Sequence, residues 1–290
     1  MWAINNRTPY KVEASWDRDI NGVHEWLVAV KGTFEIKSDG SVSLADEQTP
    51  PLLLPEYHGE AGTSSLRYDA DVVAKKPTTD VILNGTAYAP KGIPSTDFPV
   101  SLRVHDIYKE LRVLGNRRWR RGILGITPSA AEAIVELPVR YEHAFGGYDR
   151  THADPKHQRM EARNPVGRGV ATRSEHLLDQ LLPNFAYPGK KPEESAPAGF
   201  GAIDSYWSPR RELSGTYDSA WAEKRRPLLP EDWDARSLLC SPPDQRPESY
   251  LRGGERVELH HLTRNGVLRF ALPKVFLTFS TYFAGNVTEH

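Results

Sequence analysis

From Trp26 to Ile36 the even positions carry Trp26, Val28, Val30, Gly32, Phe34 and Ile36, while Lys31, Thr33, Glu35 and Lys37 take odd ones. Alternation with a period of two predicts a strand with one buried and one wet face. Ser38-Asp39-Gly40 turns the chain, and Val42 and Leu44 continue on a return strand. Phe98, Val100, Leu102 and Val104 repeat the pattern, with Ser101, Arg103 and His105 outside. His105 to Tyr108 reads as a turn, after which Leu111 and Val113 resume. Val135, Leu137, Val139 and Tyr141 alternate again, and Pro138 within that run predicts an edge or a bulge. Near the C-terminus Val257, Leu259 and His261 alternate, Asn265-Gly266 predicts a hairpin turn, and Leu268, Phe270 and Leu272 return. Val275, Leu277, Phe279, Thr281 and Phe283 make a last strand with Phe276 and Tyr282 on its other face. Apolar on both sides, that strand is expected to be central and covered.

Between residues 140 and 255 the alternation dissolves. RYEHAFGGYDR, RNPVGRG, APAGFGAI, GTYDSAWAEKRRPLLPEDWD and PPDQ follow one another, rich in Gly, Pro, Arg, Asp and aromatics. Such a stretch must be pinned by side-chain hydrogen bonds and by aromatics seated on a scaffold. Two short helices are predicted, SEHLLDQLLP at 174–183 with a Ser cap and a Pro stop, and Asp218 to Arg226 ended by Pro227. The Pro, Lys and Glu cluster at 188–197 is the expected flexible segment. The predicted fold is mainly β, with antiparallel sheets packed sandwich-like and a loop-rich central insert carrying few short helices. Residues 1–140 form its first β portion and 141–255 the insert. Residues 256–290 form a C-terminal β portion packing on the first, so that the whole makes one composite domain.

The composition narrows the function classes. Hydrophobic content of 39% and charged content of 26% are those of a folded globular chain. A formal net charge of -1 provides no global field for nucleic acid. The N-terminus, MWAINNRTPYKVEASW, lacks a signal-peptide apolar core, and no run reaches the roughly 20 residues of a membrane helix. Cys240 is the single cysteine, so no internal disulfide forms. A cytoplasmic protein is expected, without nucleic acid or membrane as a partner.

Arg117-Arg118-Trp119-Arg120-Arg121 could grip phosphates, or could be a turn whose arginines pair with carboxylates elsewhere. His143, His152, His157 and His176, with Asp149 and Asp154, have no compact ligand spacing, so no metal or other cofactor is expected. Phe145-Gly146-Gly147 and Gly167-Arg168-Gly169 read as anion nests or as positive-φ turns. Cys240, beside Leu238 and Leu239, reads as a packed small hydrophobe. Loop-borne aromatics such as Phe145, Trp207, Tyr217 and Trp221 read as core anchors or as interface residues.

These segments resemble a large bacterial family of unknown function encoded beside type VI secretion spike and PAAR-tip genes. The resemblance rests on Asn6 to Pro9 with Trp16, the WLVAVKGTF strand at 26–34, SSLRYDAD at 64–71 and the 80–90 segment. It continues through Tyr141-Glu142 with Ala144 to Gly147, Asn164 to Gly167, Pro197 to Gly201, GTYDSAW at 215–221 and Pro242 to Gln245. It implies a non-enzymatic adaptor or chaperone that binds a secreted effector, through the effector's N-terminal region, and helps load it onto the spike or PAAR tip. Phe145, Gly146, Gly147, Arg163, Trp207, Tyr217 and Trp221 are the expected contact or loop-organising residues. The alternative is a hydrolase acting on carbohydrate or peptide through loop carboxylates such as Glu142 and Asp149. Paired carboxylates roughly 5–9 Å apart would favour it.

Overall fold

A computed structural model describes residues 3–123, 125–283 and 286–289. The fold is mainly β, its sheets almost wholly antiparallel, with two short α-helices at Arg210–Leu213 and Ser219–Lys224. Its centre is a five-stranded antiparallel sheet in the order Phe185–Ala186, Ile107–Leu114, Asp97–Val104, Arg256–His260 and Val267–Ala271. The first β portion and the C-terminal portion therefore meet edge to edge, and the insert adds a short outer strand.

Alternation sets the two faces of this sheet. Phe98, Val100, Leu102 and Val104 point to one side and pair in register with Val113, Leu111, Lys109 and Ile107. That face is covered by Ala87, Ala89, Leu137 and Val139 from a small ribbon, and by Ala198 and Phe200 from the insert. The covering loops make few ladder bonds and rely on side chains instead. Gln245, fully buried, donates to the carbonyls of Val81 at 2.9 Å and Phe200 at 3.0 Å. Asp80 accepts from the Ser241 amide at 2.8 Å and hydroxyl at 2.6 Å.

Several sequence-based expectations need correcting. The 26–36 strand breaks into His24–Lys31 and Phe34–Ile36, the second pairing with Val42–Leu44. The Lys11–Arg18/His24–Lys31 hairpin is two-stranded, and its apolar face is open, with Trp16 62% exposed. The 174–183 helix is a single 3-10 turn at Ser174–Leu177. Leu181 is drawn into a β-bridge with Arg118, Leu182 donates to the Arg117 carbonyl, and Asp179, between that turn and Leu181, takes a positive φ. The 275–283 run is laddered only from Ser280, in a hairpin with Asn286–Glu289, and Phe276 and Tyr282 are 87% and 69% exposed. It is not a covered central strand. The 188–197 segment is docked rather than loose, because Pro192 and Ser195 are buried and Glu193 pairs with Arg117 at 2.9 Å.

Candidate functional site

The FGG and GRG motifs build one cradle. Phe145–Gly146 runs parallel to Arg168–Gly169, with Arg168 N donating to Ala144 O and Val170 N to Gly146 O, both at 3.0 Å. Asn164, fully buried, sits beneath them and donates through Nδ2 to Tyr141 O at 2.8 Å and Phe145 O at 2.9 Å. Only glycine fits above it. A Cβ on Gly146 would lie 2.2 Å from Asn164 O, and one on Gly167 would lie 2.4 Å from Asn164 Nδ2. Gly146 and Gly147 also adopt positive φ, so loop architecture accounts for both glycines.

Over this cradle opens a concavity of about 440 Å³, lined by Gly146, Gly147, Asp149, Arg168, His176 and Arg118 among others. Asp149 is buried beneath His176. Its Oδ2 lies 3.0 Å from His176 Nδ1 and accepts the Thr172 amide at 2.6 Å, while Oδ1 accepts the Thr151 hydroxyl and amide at 2.7 and 3.0 Å. A carboxylate only accepts, so the Nδ1 of His176 is the donor to Asp149. The His176, Thr151 and Thr172 donors, in that order, hold the Asp149 carboxyl far below the usual range. The arrangement fixes an imidazole at a concavity, but the nearby Thr151 hydroxyl is already spent on Asp149. An Asp149→Asn variant is expected to lower the melting temperature by several degrees at pH 7. Because the folded pKa is depressed, the advantage of wild type is full above the ordinary carboxylate pKa of about 4 and shrinks as pH falls below it. Melting curves at pH 7 and pH 3 check this.

Glu142 belongs to a separate network. Its carboxylate accepts the Ser65 amide at 2.8 Å and hydroxyl at 2.7 Å. Burial alone would raise its pKa, but those donors outweigh burial and hold it below the usual range. Both loop carboxylates thus act as acceptors that pin backbone.

The remaining expected residues fall into two groups. Trp207 is buried and packs edge-to-face on Tyr141 with ring centroids 5.5 Å apart, so it anchors the cradle from below. Arg163 is held by Glu161 at 2.8 Å beside the cradle. Tyr217, just before the second helix, and Trp221 within it form their own edge-to-face pair at 4.7 Å, and the helix cap Asp218 accepts the Trp221 amide at 2.8 Å. Trp221 Nε1 donates to Leu228 O at 2.8 Å, and Arg225 donates to Ile20 O at 2.7 Å, which clips this loop to the N-terminal hairpin turn. Tyr217 remains 54% exposed.

The arginine cluster resolves into staples. Arg117 pairs with Glu193, Arg120 with Asp179, and Arg118 donates to the Asp179 carbonyl at 2.7 Å. Among the described residues no three His, Cys, Asp or Glu side chains gather in a way that could hold a metal ion. Cys240 is buried, and burial, then Asp80, push its thiol up to about 12. The residue types at Asn164, Ser65 and His176 gave no local signal of these roles, since each works through partners at least 19 positions away in sequence.

Among the described residues no helix is long and apolar enough to cross a membrane. No curated protein and no solved structure matches the chain. A family model does match, over residues 21–289, and the chain accordingly belongs to the family described as an uncharacterized protein conserved in bacteria (DUF2169).

Proposed function

We propose that this protein is a cytoplasmic adaptor that binds a type VI secretion effector non-covalently and helps load it onto the spike or PAAR tip. The observation that carries this is the Tyr217–Trp221 pair, an exposed Tyr217 ring set against a half-buried Trp221 that is fixed by a helix cap and by clips to the hairpin. Preorganised aromatics of this kind supply large contact area at little entropic cost, the usual make-up of a binding hot spot. The open apolar face of the adjoining hairpin, with Trp16 and Val28, extends the same chemistry. Further support comes from the resemblance of the loop motifs to a family encoded beside spike and tip genes. A loop insert whose carboxylates are spent on pinning backbone suits presentation of a surface better than acid–base chemistry.

The test is co-purification of the tagged chain with the products of its neighbouring genes. A stoichiometric complex with an effector or a spike-tip protein is expected. Tyr217→Ala, which removes no described hydrogen bond but does remove the ring contact with Trp221, should weaken it about tenfold or more while the melting temperature falls by only a few degrees. If no neighbour is captured, or if Tyr217→Ala captures as wild type does, the adaptor reading or its assignment to this pair is lost, respectively.

A further inference from the structure

A second concavity, of about 370 Å³, lies between two ribbons. The Glu56–Tyr57/Leu66–Tyr68 ribbon supplies Arg67 to its wall, and the Thr86–Tyr88/Glu136–Pro138 ribbon is followed directly by Val139 and Arg140. His58 and Asn84 complete the polar lining. The two ribbons are tied together at this point by Asn84 Nδ2, which donates to Arg67 O at 2.8 Å, and the second ribbon's own ladder is extended by Val139 N donating to Gly85 O at 2.9 Å. The Arg67 guanidinium lies 5.1 Å from the Tyr68 ring centroid, which limits its wandering.

The charge on the lining of this concavity is one-sided, although the Glu142 carboxylate behind it lies close enough to act on His58. Its lining holds two guanidiniums and an imidazole, and no carboxylate among the described residues. The carboxylates close by are committed elsewhere: Glu142 to the two Ser65 donors, Asp204 to the Tyr57 hydroxyl, and Asp69 to Arg210 at 2.8 Å. Arg67 and Arg140 are exposed, and among the described residues neither reaches a carboxylate within ion-pair distance. Several arginines of the loop-rich insert are by contrast stapled to carboxylates, as Arg163, Arg210 and Arg236 show. Two uncompensated guanidiniums facing one space repel each other, and an anion between them relieves that repulsion.

We propose that this concavity is an oxyanion site, which takes a carboxylate or phosphate group between the Arg67 and Arg140 guanidiniums with His58 alongside. The planar guanidinium fork matches both groups in bidentate fashion, so they share one chemistry. The site is separate from the Tyr217–Trp221 surface and does not depend on the adaptor reading.

The test follows the His58 ring resonances of the full chain at low salt, assigned with His58→Gln. One arm titrates inorganic phosphate. A second titrates a terminally blocked tripeptide with a central Glu, and a third its Gln counterpart. A saturable shift with phosphate or with the Glu peptide, absent with the Gln peptide, is expected. Tighter binding of the Glu peptide assigns the site to an acidic polypeptide segment, and tighter binding of phosphate assigns it to a phosphate-bearing ligand. Arg67→Ala and Arg140→Ala should each weaken binding about tenfold or more, since each removes charge-assisted hydrogen bonds. Arg121→Ala, on an exposed strand elsewhere, should bind as wild type does. No saturable shift with either anion, or an equal loss in Arg121→Ala, would overturn the proposal. Should Arg67→Ala fail to fold, Arg140→Ala and the milder Arg140→Lys carry the comparison alone.

Discussion

Gly146→Ala is expected to destabilise the protein by about 3–5 kcal/mol, far more than a glycine substitution ordinarily costs. Two effects add. The residue has a φ of 151°, which L side chains rarely adopt. Its new Cβ would also be built 2.2 Å from Asn164 O and 2.8 Å from both Asn164 Cβ and Nδ2. Asn164 cannot retreat, because it is fully buried and its amide already donates to Tyr141 O and Phe145 O. Moving it would break those bonds and part the Phe145–Gly146 and Arg168–Gly169 strands. Gly189→Ala is the control: it too has positive φ, but nothing lies within 4 Å of its Cβ position, so its cost is about 1 kcal/mol. Urea unfolding of the two variants beside wild type measures the difference. Equal costs would show that the cradle yields and that Gly146 is not there for steric reasons.

The strands of the central sheet were legible where alternation was clean, as at Phe98 to Val104 and Val257 to Leu259. The strand Ile107–Leu114 was only half legible, because Lys109 stands where an apolar residue is expected and its partner Asp244 is 135 positions away. The leucines of 174–183 carry a helical spacing, yet bridges to Arg117 and Arg118 win over it. The loop motifs marked the cradle correctly as a place of turns. They could not say that Gly146 and Gly167 close on one asparagine, because close approach is a property of two segments and not of either alone. Similarly, Trp207 and Tyr217 look alike in sequence, and only packing separates the buried anchor from the exposed surface residue.

Asp244→Ala is expected to cost about 3–5 kcal/mol, more than Lys109→Met at the other end of the same ion pair. Lys109 lies on the apolar face of the central sheet opposite Leu102, and is only 3% exposed. Its ammonium meets Asp244 Oδ1 at 2.8 Å and lies within 5.7 Å of the Tyr187 and Phe200 ring centroids. Tyr187 OH donates to the other Asp244 oxygen at 3.0 Å. Removing the carboxylate leaves a buried cation with aromatic faces alone, whereas removing the lysine leaves a half-exposed carboxylate that water can solvate. The pH dependence separates this account from simple loss of packing. Burial already lowers the Lys109 pKa in the wild-type fold despite Asp244, and loss of Asp244 lowers it further. Between that folded value and the unfolded value of about 10.4 the unfolded chain binds more protons, so stability rises with pH. Asp244→Ala should therefore recover part of its loss as pH is raised from 7 toward 10, relative to Lys109→Met, which has no such group. Denaturant titrations of both variants at pH 7 and pH 9.5 decide it. A penalty for Asp244→Ala that is flat with pH, or smaller than that of Lys109→Met, would mean that the ammonium finds another acceptor and that the pair does not hold the insert to the sheet.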